Sequence, residues 1–185
     1  MGRKTRAAEP LFEIDRRARK LFTPYRKSRA VGAIHVVGSV GDQTQLRLVC
    51  RGVFGLGALR KDPRMMRAGV RMLVSHELAT LAKNAVKRQV DRTRPRRDAR
   101  DKPKKGTHTG KEITSFPSGH SAGSMAVACA FAAEYPEHRG AALATAGAVG
   151  LAQIPTCAHY PSDVAAGMTL GALVERLVRL VWRPG

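Results

Sequence analysis

Cysteine is scarce in this chain, acidic residues are heavily outnumbered, and strongly apolar runs are short. The three cysteines, Cys50, Cys129 and Cys157, are odd in number, widely spaced and set among apolar neighbours. That pattern argues against a disulfide framework or a metal site and leaves them as small core residues. The N-terminus alternates basic and polar residues without an apolar signal-type segment, which argues against export as a soluble protein. No internal repeat is evident. Fourteen Asp and Glu stand against 33 Lys and Arg, a formal net charge of +19. This excess predicts attraction to anionic partners and says little about fold. From Lys87 to Lys105 there are ten basic residues and three acids, with no interleaved aromatics and no recognisable nucleic-acid module. A nucleic-acid partner is therefore not expected.

The 185 residues suffice for one core-forming domain. Residues 1–30 carry ten Lys or Arg and three acids. They read as a basic arm, either solvated with a short amphipathic helix around Leu11 to Phe22 or held to anionic lipid by charge. Residues 31–185 form the single domain. Ala30 to Val40 and Leu46 to Leu59, parted by a polar turn, suggest a helical hairpin, with His35 as a packing residue. Met65 to Arg88 reads as a helix. Val70, Val74, Leu78, Leu81 and Ala85 form an apolar stripe, while His76, Thr80, Lys83 and Lys87 trace a polar one. Lys83 there is expected to be supporting or solvated.

Arg88 to Thr114 reads as a long basic loop, with His108 solvated; a loop of this length in a compact chain is functional or disordered. Helices follow to Ala133, from Ala141 to Cys157, and from Ser162 to Val181, with Trp182-Arg183 as an interfacial anchor. Ala141 to Ala158, eighteen weakly polar residues, just reaches the length that spans hydrocarbon. The expectation is an all-α bundle of about six helices.

One heptapeptide organises the rest: Ser115-Phe116-Pro117-Ser118-Gly119-His120-Ser121, followed by a small-residue apolar run. Proline and glycine here predict a loop entering a helix. Free N–H groups at a helix start beside Ser118 and Gly119 make an anion seat, and His120 next to it suits proton transfer. Taken alone, the segment reads as a plain helix cap. Two other stretches add to it. Upstream, Lys87 is followed after six residues by Arg94-Pro95; downstream, His159-Tyr160-Pro161-Ser162-Asp163 sets an acid four positions after a histidine. A cationic pair, an anion seat with a histidine, and a histidine with its own carboxylate form a phosphate-handling set.

In order and spacing, K-x6-R-P, P-S-G-H and H-x3-D, the chain resembles the type-2 phosphatidic acid phosphatase superfamily over about residues 66 to 182. That family includes lipid phosphate phosphatases, soluble acid phosphatases and vanadium haloperoxidases. The resemblance implies a membrane-embedded helical bundle in a bacterial inner membrane, crossing it several times, and a phosphorylated lipid substrate. It implies His159 as nucleophile through a phosphohistidine, Asp163 as its orienting carboxylate and His120 as general acid. Lys87, Arg94, Ser118 and Gly119 would hold the phosphate, with no metal or other cofactor required.

One position departs from the pattern. The third motif usually places Ser-Arg where this chain has Ala152 and Gln153. The missing guanidinium normally contacts the phosphate; Gln153 could donate a neutral hydrogen bond, or one of Arg88, Arg92, Arg96 and Arg97 could substitute. The alternative expectation is therefore a catalytically weak relative that binds anionic lipid or phosphate without efficient turnover.

Overall fold

The computed structural model describes residues 3–96, 104–105 and 113–182. Seven α-helices account for most of these: α1 (Arg3–Phe22), α2 (Arg29–Ser39), α3 (Gln43–Arg60), α4 (Pro63–Lys87), α5 (Gly119–Glu134), α6 (Arg139–Leu151) and α7 (Pro161–Val181). The all-α expectation holds. The expectations for His108, Arg97 and Arg183 fall outside the described residues.

Local chemistry sets the helix starts. Asp62 accepts from the N–H groups of Arg64 (2.9 Å) and Met65 (3.1 Å), and Pro63 fills the first helical position. Ser28 caps α2 in the same way, through Val31 N–H at 3.3 Å. The basic segment after α4 is less free than its composition suggests. Val90–Asp91 pairs antiparallel with Lys104–Lys105, and Arg92 bridges to Thr114, so its two ends are tied together beside the heptapeptide.

α5 lies at the centre, against α4, α6 and α7. Its small residues Ala122, Ala126 and Ala130 are buried, and α7 approaches its backbone directly. A Cβ at Gly167 would lie 2.4 Å from Ser118 O, and one at Gly171 would lie 2.3 Å from Ala122 O. This close approach needs glycine. It also brings Ser118 N–H to Asp163 O at 3.0 Å, joining the second motif to the third. Cys50 and Cys157 are buried and Cys129 partly buried, all free, as small core residues should be.

α4 turns much of its polar stripe inward. Val70, Leu78, Leu81 and Ala85 face outward, whereas Arg71, Ser75, His76, Ala79 and Lys83 are buried. Arg71 is paired across the bundle, reaching Glu134 at 3.2 Å and Glu175 at 2.5 Å. α6 is shorter than expected. It ends at Leu151 after 13 residues, about 20 Å of helix against about 30 Å of hydrocarbon, and the chain then folds into turns up to His159. No described helix is long and apolar enough to cross a membrane.

Residues 1–30 are not simply a surface arm. Asp15 on α1 is fully buried against the start of α7. His35, read as a packing residue, is instead exposed on α2.

Candidate active site

The C-terminal end of α4, the N-terminal ends of α5 and α7, and the α2–α3 turn meet at one end of the bundle. Between them lies a cavity of about 360 Å³ lined by Lys83, Lys87, Arg94, Gly119, His120 and His159, with Asp42 at its edge. A second cavity of about 310 Å³ shares Asp42, Arg94 and His120 and adds His35, Arg96 and Gln153. The rings of His120 and His159 lie 6.4 Å apart, edge to face.

His159 leaves the turn that follows α6 and is 2% exposed. Its Nδ1 stands 3.6 Å from Asp163 Oδ2, just beyond hydrogen-bond length. Its Nε2 faces Arg94 Nη1 at 3.4 Å. Burial, aided by the charges of Arg94 and Lys87 and opposed by Asp163, brings its pKa down to about 4. The ring is thus neutral at pH 7 and keeps a lone pair on one of its nitrogens. Arg94 is anchored by donating to Ala158 O at 3.0 Å.

Asp163 sits in the first turn of α7 and is held from every side. Its Oδ2 accepts from Ser115 Oγ (2.5 Å) and Tyr160 N–H (2.9 Å), while Oδ1 accepts from Arg92 Nη1. Burial opposes its charge, but the facing His159 ring, the Arg92 charge and the Ser115 hydroxyl prevail and its pKa is lowered to about 2. Arg92 in turn donates to Ser162 Oγ and to Asp15 Oδ2, both at 2.6 Å. Asp15 also accepts from Ser162 N–H at 3.0 Å. The Arg92 guanidinium stacks 4.1 Å over the Tyr160 ring. A buried carboxylate–guanidinium–carboxylate chain therefore stands behind His159.

His120, two residues into α5, meets Asp42 Oδ1 through Nε2 at 2.7 Å. Lys87, the last residue of α4, donates to Thr114 O. Burial, then the neighbouring charges of Arg94 and Lys83, brings its pKa down to about 7.

Two expected phosphate contacts are engaged elsewhere. Ser118 is fully buried as the α5 cap, its Oγ accepting from Ser121 Oγ at 2.9 Å, so the plain-cap reading holds for this serine while Gly119 and His120 line the cavity. Gln153 donates from Nε2 to Gly38 O (3.4 Å) and Val149 O (3.3 Å), and lines the second cavity instead of the one holding His159. Of the candidate substitutes, Arg92 faces Asp163 and Asp15, Arg88 is exposed, and Arg96 lines the second cavity. Sequence reasoning gave no role to Asp15 and Asp42, which lie outside the motifs, or to Ser115, which opens the heptapeptide.

The PAP2 superfamily model matches residues 68–184, well over half the chain. The chain belongs to the PAP2 superfamily. A 68-residue stretch, 37% of the chain, is 44% identical to a lipid A 1-phosphatase of Rhizobium johnstonii and 43% identical to one of Rhizobium etli. These matches span 28% and 29% of the two relatives, so the chain covers under a third of their length. A transmembrane PAP2-type phosphatidylglycerolphosphate phosphatase from Bacillus subtilis shares the fold: TM-score 0.69, 21% identity, 93% of this chain and 86% of that one.

Proposed function

We propose that this PAP2 protein is a metal-independent phosphatase that hydrolyses a lipid or isoprenoid phosphate or pyrophosphate through a phosphohistidine. The observation that carries this reading is the convergence of His159, His120, Lys87 and Arg94 on one cavity, with Asp163 behind His159. Lys87, Arg94 and the first N–H groups of α5 hold the nonbridging phosphate oxygens, where charge builds in transfer. His159 Nε2 attacks phosphorus as the ester P–O bond breaks, and His120 gives its proton to the leaving oxygen. Asp163 steadies the imidazolium that results, as in the serine–histidine–aspartate arrangement. Water then attacks the phosphohistidine, with His120 taking its proton, and inorganic phosphate leaves.

Two features favour a lipid substrate in a bacterial inner membrane. A largely apolar cavity of about 450 Å³, lined by Val40, Leu46, Val49, Val127, Phe131 and Val149 among others, lies behind the catalytic end. Gly41 packs between Val149 of this cavity and His120 of the phosphate site, so an acyl or isoprenoid tail there lies close beside the phosphate site. Outward leucines at positions 48, 56, 59, 78, 81, 173 and 177 give α3, α4 and α7 apolar flanks suited to hydrocarbon. Several polar groups of α4 turn inward, which lowers the helix's overall hydropathy without exposing them to lipid. The site lies beyond these flanks, at the interface.

The commitment of Gln153 to backbone carbonyls favours the second reading, a phosphate binder with weak turnover. One assay separates the two. Phosphate release from a short-chain phosphatidic acid in detergent with EDTA is expected from the wild type and absent in His159→Ala. Equal, negligible release from both supports the binder.

A further inference from the structure

Lys83 has no task in the mechanism above. It sits one helical turn before Lys87 on α4 and is 6% exposed, yet it lines the cavity that holds His159, His120, Lys87 and Arg94. A Cβ at Gly119 would lie 3.0 Å from its Cδ and 3.5 Å from its Nζ. The ammonium thus rests against the first turn of α5, at the anion seat. Among the described residues it makes no hydrogen bond and no ion pair. A buried ammonium without a counter-charge is destabilising, and this one is aimed into a cavity shaped for an anion.

The departure at position 153 supplies the complementary observation. Gln153 donates to Gly38 O and Val149 O, and Arg96 lines only the neighbouring cavity, on the far side of Arg94 and His120. The cavity at the nucleophile therefore has three cationic side chains, Lys83, Lys87 and Arg94. We propose that Lys83 is a third phosphate-binding cation, supplying from α4 the charge that an arginine at position 153 would have given. This rests on the phosphatase reading and extends its phosphate site by one residue. An ammonium on a flexible stem suits the role, because it needs only to approach one nonbridging oxygen.

The test separates binding from turnover. In His159→Ala protein in detergent, inorganic phosphate binding is measured by calorimetry. Adding Lys83→Met is expected to weaken it about 10- to 100-fold, the loss typical of a hydrogen bond to a charged group. Adding Lys83→Arg should change it only a few-fold. In the otherwise wild-type enzyme, Lys83→Met should lower kcat/KM about 10²-fold, and Gln153→Arg in that background should restore part of the loss. The melting temperature should hold or rise, since an uncompensated buried charge is gone. Unchanged phosphate binding with a lowered melting temperature would make Lys83 structural and overturn the proposal. So would full activity in Lys83→Met beside a large loss in Arg96→Ala. If His159→Ala binds no phosphate and the wild type releases none, the phosphatase reading fails and the proposal goes with it. Phosphate binding that is indifferent to Lys83 overturns the proposal alone.

Discussion

His159 and Asp163 lie inside a buried network, whereas His120 and Asp42 meet at the rim of the cavity. In the inner pair the side chains are 2% and 0% exposed, and the carboxylate is held by Ser115, Tyr160 and Arg92. In the outer pair they are 28% and 46% exposed, and the contact is shorter, 2.7 Å against 3.6 Å. The difference fits the two roles proposed for these histidines. A nucleophile must keep one ring orientation through a full cycle, so its support is rigid and dry. A general acid must regain its proton from water, so its partner sits where water reaches.

The largest effect should come from breaking the inner pair. Asp163→Asn is expected to lower kcat by about 10³- to 10⁴-fold, because the amide cannot enforce the ring tautomer; turnover of p-nitrophenyl phosphate in detergent measures it. Next comes the far end of the same network. Asp15→Ala leaves the buried Arg92 with one carboxylate instead of two, and breaking such a pair costs about 3–5 kcal/mol. A clear fall in melting temperature is expected, with a loss of rate smaller than that of Asp163→Asn. An unchanged melting temperature would show that α1 lends nothing to the site.

A third prediction concerns pH. With a pKa of about 7, Lys87 carries its charge below that pH and loses it as pH rises through 7. kcat/KM should then fall about tenfold per unit on the alkaline side. Lys87→Arg should carry that limb well upward, since guanidinium stays charged. His159, at about 4, should put no limb near neutrality. The smallest effect is expected at the outer pair. Asp42→Asn should slow an alkyl phosphate by about tenfold or less and a nitrophenyl phosphate hardly at all, since only the alkoxide needs a proton as it leaves. Equal slowing of both substrates would remove Asp42 from the acid's support.

The residues that converge were legible because each motif is local. Lys87 and Arg94 are seven positions apart, and His159 and Asp163 are four, spacings that a helix end and a capped first turn convert directly into proximity. The supporting groups were not legible, because their partners are distant: 147 residues separate Asp15 from Ser162, 78 separate Asp42 from His120, and 48 separate Ser115 from Asp163. Ser118 and Gln153 have partners that the sequence did not show. Each has a side chain able to bind phosphate, but a helix cap and two backbone carbonyls claimed it first. On α4 the period of the two stripes was legible. A stripe gives its spacing in the sequence, while which stripe turns inward depends on what surrounds the helix.

The burial of Asp15 also bears on how the molecule is made. Its carboxylate closes on Ser162 and Arg92, and Ser162 is translated long after α1 has left the ribosome. α1 can therefore take its final place only after α7 has formed. Arg92 gains its second carboxylate only when these two helices, far apart in sequence, have met.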